Sequence, residues 1–146
     1  MTIELLKGSE VNAAVQTRIR ELFQQLNADI RQLDVESVLS PENHIVFAIC
    51  KEDNLIVGIA AMATYKVISG HKGMIEDVIV DENQRGKGIG RKLMQKLLAE
   101  GKKQNLDEIL LFSGHHRLPA INLYKSLGFQ LKESGLYRLK MHWSPP

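Results

Sequence analysis

Val78-Ile79-Val80 is a short apolar run that breaks, within a few residues, into the basic glycine turn Arg85-Gly86-Lys87-Gly88-Ile89-Gly90 and opens directly into an amphipathic segment. With a further strand expected over Glu108–Phe112, this makes a strand–helix–strand unit from 74 to 112. Two strands joined through a helix must run parallel, so the unit constrains any sheet the chain can build. Gly86, Gly88 and Gly90 supply the φ > 0 freedom that turns successive backbone N–H groups toward one centre. The helix behind them adds its unpaired amides and the positive end of its dipole, which favours a phosphate or pyrophosphate. Its apolar positions are Ile89, Leu93, Met94, Leu97 and Leu98, at helical spacing, while Arg91, Lys92, Gln95, Lys96 and Glu100 take the solvated face.

Two familiar phosphate motifs fail at this turn. A dinucleotide fingerprint needs G-x-G-x-x-G, and the spacing here is G-x-G-x-G. A Walker loop needs a Gly-Lys followed by Ser or Thr, which the turn lacks. The plain alternative is a strand-to-helix turn whose glycines serve geometry alone.

Elsewhere the pattern predicts a short strand over Thr2–Leu6, then a helix N-capped by Ser9 with Val11, Val15, Ile19, Leu22, Phe23 and Leu26 on its apolar face. Residues 27–41 read as irregular or weakly helical, a polar excursion suited to covering a substrate. Strands follow over His44–Cys50 and Leu55–Tyr65, joined by a hairpin turn at Lys51-Glu52-Asp53-Asn54, and over Met74–Val80. Gly101 marks the end of the long helix, Glu108–Phe112 reads as a buried strand, and Arg117–Leu127 as a helix stopped by Gly128. Gln130–Glu133 and Leu136–His142 read as a closing hairpin. The fold class is α/β of the α+β type: a mixed, mostly antiparallel sheet flanked by helices. At 146 residues, one domain spanning 1–146 is expected.

A formal net charge of +2 argues against nucleic acid, and no apolar run approaches a membrane span. The lone Cys50, inside an apolar run, permits no internal disulfide and points to a reducing, cytoplasmic setting. No His, Cys, Asp or Glu cluster has metal-ligand spacing; the adjacent His115 and His116 are poorly spaced for one.

Gln84-Arg85-Gly86-Lys87-Gly88-Ile89-Gly90 resembles the Q/R-x-x-G-x-G/A signature of the GNAT N-acetyltransferase superfamily, and Ala120-Ile121-Asn122-Leu123-Tyr124-Lys125-Ser126-Leu127-Gly128-Phe129 is similar to its A-x-x-L-Y-x-x-x-G-F segment. The resemblance covers nearly the whole chain and implies the GNAT acyl-CoA N-acyltransferase fold, with acetyl-CoA as co-substrate. It implies pyrophosphate contacts at Arg85, Gly86, Lys87, Gly88, Ile89 and Gly90, and main-chain contacts with the pantetheine arm along Val78, Ile79 and Val80. Tyr124 matches the tyrosine placed beside the thioester sulfur. The stretch Gly73–Val80 looks locally like glucosamine-6-phosphate N-acetyltransferases, and a carboxylate at the position of Glu76 implies a general base. Strand alternation would send Asp77 to the opposite face. Two departures stand out: the family's common proline is Glu82, and a common asparagine is Arg117, as in a branch of small bacterial acetyltransferases.

The reading that results is transfer of an acetyl group to a primary amine of a small molecule in a ternary complex, with Arg31, Asp77, His115 and Arg117 as acceptor-side candidates. A protein-lysine or N-terminal acetyltransferase and a non-catalytic acyl-CoA sensor are the alternatives, and the resemblance leaves room for a homodimer.

Overall fold

Strand order follows chain order. In the computed structural model, which describes residues 1–113 and 118–141, one sheet runs β1-β2-β3-β4-β5. Its strands are β1 (Thr2–Leu5), β2 (Ile45–Glu52), β3 (Leu55–Val67), β4 (Gly70–Val80) and β5 (Glu108–Leu110). The first four pair antiparallel with their neighbours and only β4 with β5 is parallel, as the intervening helix requires. The helices are α1 (Ala13–Leu26), α2 (Val35–Val38), α3 (Ile89–Lys103) and α4 (Leu118–Ser126). The chain divides into two compact units, Met1–Ser113 and Gly114–Pro146.

Local chemistry accounts for most boundaries. Asp53 and Asn54 both take positive φ, 51° and 64°, so a two-residue turn of the primed kind joins β2 to β3 with the twist the strands need. The N-cap of α1 is Asn12, not Ser9: its side chain accepts a 2.9 Å hydrogen bond from the Val15 amide, while Ser9 sits in a 3₁₀ turn, Gly8–Glu10. Gly101 does not end α3. It is buried within the last turn, where an added Cβ would stand 2.7 Å from Ile109 Cδ1, and the left-handed residue past the helix is Asn105, φ 56°.

The sheet is covered on both faces. Ile19, Leu22 and Val35 from α1 and α2 pack with Phe47, Ile49, Ile59, Ala61 and Ile79. Adjacent strand residues face opposite ways, so Gly58 looks away from that cluster. There α3 buries Ile89, Leu93, Met94 and Leu97. A Cβ at Gly58 would lie 2.9 Å from Ile89 Cγ2 and 3.1 Å from Leu93 Cδ1, so glycine is what allows the helix its close approach.

The C-terminal expectation needs correction. Residues 130–141 form no strand, and Leu131, Leu136, Tyr137 and Leu139 are exposed; the expected end at His142 lies outside the described residues. Alternation marks which residues would share a face, but a strand forms only where a neighbour takes up its backbone hydrogen bonds, and 130–141 has none in a ladder. Likewise β5 stops at Leu110, half-buried, and Phe112 is exposed. Among the described residues no helix is long and apolar enough to cross a membrane.

Gly58→Ala should therefore destabilise the protein by about 1–3 kcal/mol, since Ile89 is β-branched and has little rotamer freedom with which to yield. Urea denaturation reads this, and a wild-type midpoint would mean that α3 can retreat at no cost.

Candidate functional site

The path of β4 departs from a regular strand where the carboxylates lie. Ile59 sits opposite Ile79 and Ala61 opposite Glu76, so two steps along β3 match three along β4. The extra residue makes a bulge, and Asp77 takes φ 58° there. Residues directly opposite share a face, so Glu76 lies on the face of Ala61 and Ile79, toward α1. Without the bulge, Glu76 and Ile79 would point opposite ways. The expected simple alternation between Glu76 and Asp77 thus does not run through this point.

Both residues expose much of their surface, yet both carboxyls are held above their ordinary range. Partial withdrawal from water is the main cause for each, and for Glu76 the neighbouring Asp77 charge adds to it. A carboxylate so placed is a stronger base than one in water. Beyond Met74, the last residue of β4 paired with β5, the strand continues to Val80 with no partner on that side among the described residues. Its main-chain groups there can pair with an extended ligand. Ile79 is buried in the core and can contribute only its backbone, while Val78 and Val80 are half-buried.

The glycine turn follows. Gly86 and Gly88 have φ of 83° and 76°, and a Cβ at either would meet nothing within 4 Å. Gly90 lacks positive φ; it lies inside the first turn of α3. Gly88 is the N-cap and offers no side-chain acceptor, in contrast with Asn12 on α1. That first turn holds no acidic residue and carries Arg91 and Lys92, the wrong sign for a helix start. A bound anion would reverse this electrostatic cost. Lys87 Nζ donates to Gln84 Oε1 at 2.6 Å and lies 3.9 Å from Glu52 Oε2. Ile89 is buried in the core, so only its amide is available to a ligand.

Sequence reasoning missed the group that holds the start of this turn. Asp81, buried, receives Arg18 Nη2 at 2.6 Å and the Asn83 amide at 3.1 Å. The Asn83 amide first, then Arg18 and Gln25, hold its carboxyl below the usual range against the opposing effect of burial. Arg18 also donates to the Ile56 carbonyl at 2.7 Å, and Gln25 accepts from the Glu82 amide at 3.0 Å. The available signal was an acid placed directly after an apolar strand and an arginine flanking the apolar stripe of α1. Neither names its partner.

Arg31 is exposed in the segment between α1 and α2. Tyr124 lies on α4, in the second unit, with its ring edge-to-face against Phe129 at a centroid separation of 6.2 Å. His115, His116 and Arg117 lie outside the described residues. Among the described residues no group of three potential ligands could hold a metal. Cys50 is buried and its thiol is pushed up, chiefly by burial, away from thiolate chemistry.

Comparison with known proteins relates the sequence and the fold to acetyltransferases. The chain is 29% identical over 97 residues to an IAA acetyltransferase of Azospirillum brasilense, a match spanning 66% of this chain and 61% of that one. The chain spans less than two thirds of the length of curated relatives that it matches. Among solved structures, an Agrobacterium tumefaciens protein described as a putative acetyltransferase superposes with a TM-score of 0.79 at 19% identity, covering 96% of this chain and 100% of that one. A predicted acetyltransferase from Clostridium acetobutylicum, solved with acetyl-CoA, gives 0.70 at 23%, covering 97% and 99%. The family model described as acetyltransferase (GNAT) matches residues 12–129, from the cap of α1 past the end of α4, and the chain therefore belongs to the GNAT family of N-acetyltransferases.

Proposed function

We propose that this chain, acting as one catalytic domain, transfers the acetyl group of acetyl-CoA to a primary amine of a small molecule by direct attack in a ternary complex. The observation that carries the reading is the open space over Gly86 and Gly88, at the head of a basic helix start and next to the stretch of β4 that has no partner on its β5 side among the described residues. The pyrophosphate fits amides of residues 85–90, and the pantetheine arm fits the main chain of Val78, Ile79 and Val80. The acetyl-CoA in the Clostridium protein supports this choice of donor.

An amine near its reference pKa of about 10 is mostly protonated at neutral pH and must lose a proton before it attacks. Glu76, directly or through a water, takes that proton. The nitrogen then forms its bond to the acetyl carbon while the backbone amide near Val78 polarises the carbonyl. The carbon–sulfur bond breaks, the phenol of Tyr124 donates its proton to the departing thiolate, and the excess proton that the acylated nitrogen must still lose restores that phenol, leaving the neutral amide and CoA thiol. Support for Tyr124 comes from its motif. Arg31, Asp77, His115 and Arg117 are the acceptor-side candidates.

Gly88→Glu should abolish acetyl-CoA binding in calorimetry. The added Cβ would meet nothing within 4 Å, so the cost to the fold should be close to the about 1–2 kcal/mol that a left-handed conformation costs an L-residue. Unchanged affinity in the folded variant would remove the pyrophosphate assignment.

Glu76→Gln keeps the side chain's size and removes the base, so turnover near neutral pH should fall by about 10²–10⁴ and partly recover as rising pH deprotonates the acceptor. A pH–rate profile superimposable on wild type would move the base elsewhere.

Asp77→Asn tests the shielding of the bulge instead. A carboxyl whose pKa is raised on folding contributes stability that is complete below its unfolded value and is lost as pH rises through the folded one. Asparagine tolerates the left-handed backbone and carries no charge, so the variant should melt higher than wild type at pH 7 and lose that advantage near pH 3. Equal melting temperatures at pH 7 would mean that the Asp77 charge costs nothing where it stands.

A further inference from the structure

The 3₁₀ turn Glu82–Gln84, which delivers the chain from β4 to the glycine turn, has each of its three amides tied down. Glu82 N–H donates to Gln25 Oε1 at 3.0 Å, Asn83 N–H to Asp81 Oδ1 at 3.1 Å, and Gln84 N–H to the Asp81 carbonyl at 2.8 Å. Gln25 Nε2 in turn donates to Asp81 Oδ1 at 3.4 Å, and Arg18 locks the other carboxylate oxygen. None of these bonds, and none of the turn or cap bonds among the described residues, uses an amide of 85–90.

The division is sharp. Of the amides before the glycine turn, one is held by Gln25 of α1 and two by Asp81, which Arg18 and Gln25 of α1 hold in turn; those of 85–90 enter none of these bonds. We infer that Gln25 and the Arg18–Asp81 pair are positioning residues for the donor's pyrophosphate: α1 holds the entry of the turn so that the amides of 85–90 converge before the anion arrives. The inference rests on the pyrophosphate reading above. Physically it is preorganisation: a turn that must be ordered on binding costs affinity, and a turn already ordered does not. Gln25 is the informative member because it is half-buried and uncharged, so its loss strands no charge. Asp81 and Arg18 are less suited, since removing either leaves its partner's charge unmatched and risks the fold.

The test compares two donors that share the acetylated pantetheine arm and differ in the pyrophosphate. In Gln25→Leu, the calorimetric Kd for acetyl-CoA should rise about tenfold while the Kd for S-acetyl-pantetheine stays within about twofold of wild type. Gln25→Glu, which keeps an acceptor for the Glu82 amide but sets a second carboxylate beside Asp81, should fall between them for acetyl-CoA. Equal losses for both donors would show a general structural role, and no loss for acetyl-CoA would show that the turn needs no support; either overturns the inference. Failure of wild type to bind acetyl-CoA would instead end the pyrophosphate reading and the inference with it. Should Gln25→Leu not fold, Gln25→Met, closer to glutamine in length and flexibility and lacking both polar atoms, carries the same comparison.

Discussion

The approach of α3 to the sheet at Gly58 decides where the rest of the active region can stand. Ile89 is both the first residue of that helix and one of the most deeply buried side chains, while its predecessor Gly88 faces open space. One peptide unit therefore separates the hydrophobic core from the surface where an anion would be held. Core packing is dense and yields little, so the cradle inherits the rigidity of the core rather than the mobility of a loop. On the proposed reading, a cradle so anchored needs no reorganisation when the pyrophosphate arrives.

The same stretch carries local conflicts. The first turn of α3 carries cations where its dipole prefers anions, and its cap lacks a side-chain acceptor. The bulge in β4 puts a non-glycine residue in the left-handed region, and the two carboxyls there are partly withdrawn from water though largely exposed. Each is a departure from what would stabilise an empty fold, and they fall within one stretch, from Glu76 to Lys92. Conflicts between local preference and fold gather where chemistry demands them. Opposing them is the well-satisfied cluster around Asp81, where charge, amides and an arginine agree.

How much of this was legible in the sequence follows from the range of the interaction that encodes it. The apolar stripe of α3, the hairpin chemistry of Asp53-Asn54 and the glycines at 86 and 88 are local signals, and they were readable. The bulge at Asp77 depends on how β3 is aligned with β4, which no window along one strand contains. The Arg18–Asp81 pair joins residues 63 positions apart, and each looks like an ordinary surface charge by itself. Ser9 and Asn12 are both good caps, and the choice between them is made where the apolar stripe meets the sheet. The alternation of Tyr137, Leu139 and Met141 had the right period, but period alone supplies no partner for a strand's backbone.

The hairpin of β3 and β4 outruns its neighbour: β2 pairs only as far as Ala63, while β3 continues to Val67. Among the described residues that overhang leaves a short free edge bearing Tyr65 and Val67, with Ile68 fully exposed at the tip. Lys66 sits in the middle of it. An edge of β-forming residues is a template for other chains, and a lysine there makes stacking unfavourable because every added copy brings another like charge. At this tip a single charge, Lys66, opposes the addition of a further strand while taking no part in the packing of the core.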